Sequence, residues 1–471
     1  MPTPRMLPAL LRLHVVLLLC GALAAAESDV LESDLWFVGK LNGQPAMTIH
    51  AAVTKHADGT RSDTSEMVFL ISRTLGATAM RFETREAQAY VDGADGRIAA
   101  FRFDHVEGGE TTSAVGKVVG DEVVATVHHL DRTTEQRLPI PPGTRLLGQQ
   151  AGQELLVAHP WKAGQQERFS GLNLLGNQVQ IVDVTATFVR TTPTGNLVFT
   201  MLMDQVAVPM TTTVTPTGQL AGMGLSVGPL VLELLPSPGP VPLAGAELSP
   251  TGLVTATGPA PAAGPRNRYR MPPGGSVAED EFQHLADGVV TVTASAPPAP
   301  LPDPAPLLRA TPQLETDDPA LRAWVQDVAK GHEADLADLA EQLRLAVRGH
   351  ITTKDLSKGD ASALEAFRTR TGDCTEHANL LCAALRIAGI PARVEDGLVF
   401  AADFGGWVGH AWNSAYIGGR WVHLDSAYPG IPRSCYLKLA TNSGGAWKST
   451  GALMVANLVA LAGKEIETLK P

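Results

Sequence analysis

Three residues near the C-terminus have the types and the order needed for nucleophilic catalysis: Cys374, His410 and Asp425. Cys374 lies in the hexapeptide Gly-Asp-Cys-Thr-Glu-His at 372–377, and His410 in Gly-His-Ala-Trp at 409–412. A thiolate attacks a carbonyl carbon, an imidazole takes and returns the proton, and a carboxylate fixes the imidazole tautomer. The pattern therefore predicts a cysteine nucleophile with a His–Asp pair, provided that the fold brings the three residues together.

The residues around Cys374 predict the start of an amphipathic helix. Asp373 is a capping residue, and Glu376 can reach back to it three positions later. Buried positions then recur at helical spacing, at Ala378, Leu381, Cys382, Leu385 and Ala388. The first amides and the positive end of a helix stabilise an anion, so we expect a lowered thiol pKa and amides that can receive an oxyanion.

A second element must place the base and the acid. Gly418 and Gly419 separate two apolar segments and predict a two-residue β-hairpin. If Ile417 pairs with Arg420, one face of the hairpin carries His410, Trp412, Ser414, Tyr416, Trp421, His423 and Asp425. His410 and Asp425 are then diagonal neighbours, roughly 7–8 Å apart, a gap that two side chains can bridge.

These motifs resemble the transglutaminase-like superfamily, which has a papain-like α+β fold. Together with the N-terminal segment, the resemblance implies an exported protein of bacterial type. The matching segments are 372–378, 385–393, 409–413 and 419–425. The resemblance implies that Cys374 is the nucleophile, His410 the base and Asp425 the residue that orients it. Family members often carry an upstream side chain that helps to bind the oxyanion; here that region reads Ile-Thr-Thr-Lys-Asp at 351–355 and supplies no evident donor.

Other residues near the motifs have simpler interpretations or stay open. Trp407, in the loop beside His410, is a candidate for substrate binding along an acyl groove. Cys382 fits a core position, although a Cys382–Cys435 disulfide would leave Cys374 free. A zinc site is not expected, because Cys-x-x-His has no partner pair at finger-like spacing, and we expect neither a metal nor a cofactor.

The N-terminus and the composition concern location and partners. An apolar run up to Ala26 predicts a signal peptide at 1–26, with a retained anchor helix as the alternative; cleavage would leave no stable membrane span. We therefore expect an exported protein, periplasmic or extracellular. The net charge of -11 comes without any Lys/Arg-rich run, which argues against nucleic-acid binding. The expected partner is a protein or peptide substrate, and the sequence does not specify an oligomeric state.

At 471 residues the chain suggests several domains. Residues 27–235 alternate strand and turn patterns and predict an all-β antiparallel sheet domain. Residues 236–312 hold 17 of the 34 prolines and predict a proline-rich linker with candidate strands, one of them at 289–293. Helical spacing resumes at Asp318-Pro319, and residues 313–471 form the predicted α+β transglutaminase-like domain.

The predicted function is that of an exported cysteine-dependent enzyme that acts on amide bonds through a thioester. Water resolving the thioester would make it a protease or amidase, and an amine would make it a transglutaminase. The alternative is a non-catalytic envelope binding or scaffold protein with the same fold.

Overall fold

The computed structural model describes residues 29–75, 78–107, 109–204, 206–227, 230–247, 254–275, 277–354, 361–428, 430–442 and 461–470. The predicted signal peptide and Asp355 lie outside these ranges.

A large antiparallel sheet forms the N-terminal part of the chain, as predicted. Its strand order is β8-β7-β6-β5-β4-β3-β2-β1-β14-β13-β12-β11-β10-β9, with β15 added in parallel to β3. Two consecutive meanders, β1 to β8 and β9 to β14, are therefore joined where β1 pairs with β14. The strands are β1 (Val30–Leu41), β2 (Gln44–Lys55), β3 (Arg61–Leu75), β4 (Thr78–Asp92), β5 (Ile98–Glu107), β6 (Glu110–Val119), β7 (Glu122–His129), β8 (Arg132–Pro139), β9 (Gln166–Leu175), β10 (Gln178–Thr191), β11 (Leu197–Met203), β12 (Val206–Val214), β13 (Leu220–Val227), β14 (Leu230–Ser237) and β15 (Ala246–Glu247).

The sheet curves far enough to bury its inner face against itself. Phe101, Phe103 and Val127 of the first meander share one apolar core with Leu172 and Val179 of the second. A short helix, α1 (Gln149–Leu155), connects the two meanders. The alternation of buried and exposed side chains along these strands is the period-2 pattern of a sheet with one buried face.

The proline-rich segment contains the predicted strand at Val289–Thr293, but it belongs to a packed sheet and is not an extended linker. It contributes β16 (Val254–Thr257), β17 (Arg266–Arg270), β18 (Gln283–Ala286) and β19 (Val289–Thr293), which join β26 (Lys464–Thr468) in a five-stranded sheet of order β16-β26-β17-β19-β18. Tyr269, Val290 and Val292 of this sheet are fully buried and share a core with Leu398 and Leu437 of the C-terminal domain. Proline is tolerated here because β16, β17, β18 and β19 contain none, so no ladder hydrogen bond of these strands is lost.

The C-terminal domain packs helices against a four-stranded antiparallel sheet of order β24-β23-β22-β25. Its helices are α2 (Pro319–Ala329), α3 (Leu336–His350), α4 (Ala363–Thr369) and α5 (Cys374–Ile387), with short 3-10 helices at Ala305–Leu307, Ala402–Phe404 and Arg433–Cys435. Its strands are β20 (Thr353–Lys354), β21 (Thr371–Gly372), β22 (Ala392–Ala401), β23 (Gly406–Ile417), β24 (Arg420–Leu424) and β25 (Tyr436–Asn442). The predicted fold class, a β-sheet domain followed by an α+β domain, is confirmed.

Helix α5 is the centre of this domain. Leu381, Cys382 and Leu385 on one face of α5 pack with Leu343 of α3 and with Ala415 of β23, and all five are fully buried. Because α5 is clamped between helices and sheet, its first turn is held at a fixed place beside β23.

Candidate active site

Helix α5 begins at Cys374, and its start has the capping arrangement that the sequence predicts. The Asp373 side chain accepts the Thr375 N–H at 2.8 Å, and the Glu376 side chain accepts the Asp373 N–H at 2.7 Å. Gly372 is required at this turn, because a Cβ there would lie 2.3 Å from the Glu376 Cβ. The cap fixes Cys374 as the first helical residue, whose amide points out of the helix.

The Cys374 thiol is half-buried and lies near the backbone of Ala411, which adjoins His410 in the chain. Burial raises the pKa of this thiol well above its usual value, and the Asp373 carboxylate adds to the rise; the Ala411 backbone opposes the rise without cancelling it. The expected lowering of the thiol pKa is therefore wrong. A helix start stabilises an anion, but here desolvation and neighbouring carboxylates outweigh that effect.

The hairpin has the predicted register. Ile417 pairs with Arg420, Tyr416 with Trp421 and Ser414 with His423. Asp425 follows directly after β24, so its side chain is not restrained by the ladder and turns toward His410 on the same face of the sheet.

His410 and Asp425 form a buried pair, with 2.7 Å between His410 Nε2 and Asp425 Oδ2. The other carboxylate oxygen accepts the N–H groups of Ala427 and Tyr428, each at 2.8 Å, and Tyr436 donates its hydroxyl to Oδ2 at 2.8 Å. Burial alone would raise the pKa of Asp425, but the His410 ring and the Tyr428 N–H hold it well below its usual range. Asp425 is thus an ionised acceptor, and His410 Nε2–H is the donor to it.

Two further imidazoles lie near the pair and can be distinguished from it. Burial lowers the pKa of His423 to about 3, which keeps its ring neutral. Burial also lowers the pKa of His377, whose Nδ1 lies 2.6 Å from the Asp373 carbonyl oxygen. An Nδ1–H donated to that carbonyl holds the imidazole across the first turn of α5. Of these three rings, His410 is the one that is hydrogen-bonded to a carboxylate side chain within the described part of the chain.

Strand β23 carries His410 and is attached to α5 by a second polar contact. The Asn413 side chain donates to the Ala378 carbonyl at 2.9 Å, and both residues are buried. Together with the contact between the Cys374 sulfur and Ala411, this bond holds the strand along the first turns of the helix. The structure thus brings Cys374, His410 and Asp425 into one region at the helix start.

Trp407 does not line a substrate groove beside His410, contrary to the prediction from the sequence. Its ring is only 2% exposed and packs edge-on against Tyr269 and Phe400 in the core shared by the two sheets. Side chains alternate across β23, so Trp407 and His410, three residues apart, point to opposite faces. The predicted role of Trp407 in substrate binding is therefore corrected to a packing role.

The cysteines are all free in the part of the chain that the structure describes. Cys382 is fully buried in α5 and Cys435 is buried beside Asn267, so the conditional Cys382–Cys435 disulfide is not formed. No cluster of three or more His, Cys, Asp or Glu side chains suited to a metal ion occurs among the described residues. Within the same residues, no helix has both the length and the apolar character to cross a bilayer.

Sequence reasoning missed the residues that surround the acid. Tyr436 opens β25, eleven positions after Asp425, and no local motif marks it. Tyr428 places its ring edge-on against His410, with 6.1 Å between ring centroids. A buried Tyr opening a strand after the acid is the one signal that could have suggested this contact.

Comparison with known proteins supports the resemblance. The family model described as the transglutaminase-like superfamily matches residues 322–426, a span that contains Cys374, His410 and Asp425. The predicted resemblance is confirmed for this segment, and the C-terminal domain is transglutaminase-like. Members of this superfamily are typically cysteine-dependent enzymes, and some are non-catalytic.

Two solved structures are similar over parts of the chain. A candidate cysteine protease from Cytophaga hutchinsonii is 17% identical, with a TM-score of 0.29, over 41% of this chain and 80% of that one. A beta-barrel-like protein with a domain of unknown function from Brucella abortus is 11% identical, with a TM-score of 0.31, over 44% of this chain and 98% of that one. At these TM-scores neither similarity carries an argument about function. No curated protein matches the chain.

Proposed function

We propose that this protein is an exported, cysteine-dependent acyl-transfer enzyme that acts on amide bonds of a protein or peptide. Cys374 is the nucleophile, His410 the general base and acid, and Asp425 the residue that orients His410. The observation that carries the proposal is the buried 2.7 Å bond between His410 and an ionised Asp425, beside the helix start that holds Cys374.

The first half-reaction follows from this arrangement. Because Nε2 is committed to Asp425, the imidazole presents Nδ1 as the proton acceptor. The Cys374 thiol gives its proton to Nδ1 as sulfur bonds to the amide carbon. The negative charge on the carbonyl oxygen is received by the Cys374 backbone N–H at the helix start. The C–N bond then breaks, the proton passes to the leaving amine, and an acyl thioester with Cys374 remains.

The second half-reaction decides the product. A water molecule loses a proton to His410 as its oxygen attacks the thioester carbon; the C–S bond then breaks, His410 returns the proton to the Cys374 sulfur, and a carboxylic acid leaves. A primary amine that attacks the same carbon in place of water gives a new amide and the same free thiol. We favour hydrolysis, as in the protease or amidase interpretation of the motifs, and treat amine transfer as the other outcome of the same chemistry.

One observation favours a non-catalytic binding protein instead. The raised pKa of Cys374 means that little free thiolate exists near neutral pH. Catalysis then depends on proton transfer to His410 within the site rather than on a preformed thiolate, and a site that cannot make this transfer would only bind.

The test of the nucleophile is labelling of the folded protein with an iodoacetamide probe at pH 7, with the modified residue located by mass spectrometry. We expect labelling at Cys374, and a loss of at least tenfold in rate for His410→Ala, because general-base assistance contributes about 10²–10⁴-fold. Cys382→Ser is the matched control, since Cys382 is a fully buried thiol of the same helix. A labelling rate of Cys374 that is unchanged in His410→Ala would contradict the proposal.

Turnover is tested with a mixed peptide library in ¹⁸O-labelled water, with and without a primary amine. Incorporation of ¹⁸O identifies hydrolysis, and an amine adduct identifies transfer; Cys374→Ser must abolish both. The absence of product in both conditions favours the binding protein.

Export is tested separately by N-terminal sequencing of the mature protein, with cleavage expected after Ala24 or Ala26.

A further inference from the structure

Tyr436 makes a contact in the site that neither the motifs nor the family match assigns. Its hydroxyl donates to Asp425 Oδ2 at 2.8 Å, and this is the same oxygen that lies 2.7 Å from His410 Nε2. Tyr436 is fully buried at the start of β25. One carboxylate oxygen therefore serves two donors, one from the imidazole and one from the phenol.

The direction of this hydrogen bond is fixed by the charges. Burial and the Asp425 charge raise the pKa of the Tyr436 phenol, so the phenol stays protonated, while Asp425 is ionised. A carboxylate only accepts, so the phenol is the donor. A hydrogen bond to an ionised, buried acceptor is of the stronger kind.

Packing leaves the phenol little freedom. Its ring centroid lies 4.6 Å from that of His423, 5.1 Å from Trp412 and 5.9 Å from His410. In the sheet, β25 is separated from β23 by β22. The acid that orients His410 is thus held by two N–H groups of its own loop and also by β25, which lies two places from the strand of His410.

We propose that Tyr436 is a positioning residue. It holds the Asp425 carboxylate with Oδ2 toward His410, and by sharing that oxygen it limits how strongly the carboxylate accepts the imidazole N–H. The catalytic consequence rests on the proposed function, but the effect on the His410–Asp425 hydrogen bond does not.

The first test reads that hydrogen bond directly, by NMR of ¹⁵N-histidine-labelled protein. The Nε2–H proton signal of His410 is assigned by its loss in His410→Ala. In Tyr436→Phe, Asp425 Oδ2 loses one hydrogen-bond donor and accepts the His410 N–H more strongly. We therefore expect the Nε2–H proton signal to move downfield. Tyr269→Phe is the matched control, because it removes another buried hydroxyl, one that donates to the Ser434 carbonyl at 2.6 Å. It should leave the signal in place.

A second variant keeps the shape of the side chain. With 3-fluorotyrosine at position 436 the phenol is more acidic and donates more strongly, so the signal should move upfield. In turnover, Tyr436→Phe should lower kcat about tenfold with KM unchanged, as expected when an outer hydrogen bond that orients a site is removed. An unmoved His410 signal in both variants would overturn the proposal, and this holds whether or not the wild type turns over peptides.

Discussion

Replacing Asp425 by Asn tests the central pair most sharply, because the structure dictates how the amide must sit. Oδ1 accepts two backbone N–H groups, from Ala427 and Tyr428, and only an oxygen can do so. The Asn NH₂ group is therefore forced into the Oδ2 position, where it faces the His410 Nε2–H. The Tyr436 hydroxyl can rotate to accept, but the imidazole must change its tautomer.

The change of tautomer determines how much activity Asp425→Asn should lose. With Nε2 as acceptor, the proton moves to Nδ1, so His410 can no longer receive the thiol proton. In a serine protease triad, the matching Asp-to-Asn change gives the wrong imidazole tautomer and lowers kcat about 10⁴-fold. We expect a similar loss here, equivalent to about 5 kcal/mol of transition-state stabilisation. The Asp425 charge also raises the thiol pKa, so the variant thiol should ionise more readily, not less.

The assay measures both effects on the same protein. Peptide turnover is expected to fall about 10⁴-fold, while alkylation of Cys374 above pH 9 stays at or above the wild-type rate. Asp327→Asn makes the same charge change at an exposed position of α2 and should alter neither. Circular dichroism melting shows that each variant is folded. Turnover of folded Asp425→Asn within tenfold of the wild type would refute the assigned role of Asp425.

Three other perturbations have defined outcomes. Asp373→Asn removes the charge that helps to raise the Cys374 pKa but keeps a capping side chain, so the alkylation profile of Cys374 should shift to lower pH; a shift upward would contradict the assigned cause. Gly372→Ala forces a Cβ against the Glu376 side chain and should lower the free energy of unfolding by about 1–3 kcal/mol. Gly349→Ala places a Cβ in open space within α3 and should raise the free energy of unfolding by about 0.5–1 kcal/mol. Denaturant titration measures both changes. Burial raises the pKa of Asp92 from 3.8 to about 7, so ionisation favours the unfolded chain and stability should fall as pH rises from about 4 to 7; in Asp92→Asn this fall should be smaller when unfolding is measured across that range.

Local patterns predicted the elements of the site because each element is specified by neighbours in the chain. The capping box at Asp373 and the Gly418-Gly419 turn determine where α5 begins and how β23 pairs with β24, and both are evident from a few consecutive residues. Side-chain alternation then placed His410 and Asp425 on one face.

Contacts between distant segments were not predictable in the same way. The Trp407 assignment assumed that closeness in sequence to His410 means closeness in the groove, but alternation along β23 sends the two side chains to opposite faces. Tyr436 reaches Asp425 only because β25 lies beside β22. The proline content of 236–312 suggested a linker, whereas the partners of its strands include β26, about two hundred residues later in the chain.

The raised thiol pKa changes how the site must work. If Cys374 were a ready thiolate, His410 would only need to protonate the leaving group, and Asp425 would matter little before the amide carbon is attacked. With the thiol held neutral by burial and by Asp373, the proton must move to His410 as sulfur attacks, so the tautomer fixed by Asp425 is needed from the first step. The structure therefore joins a protonated thiol to a base that is already oriented.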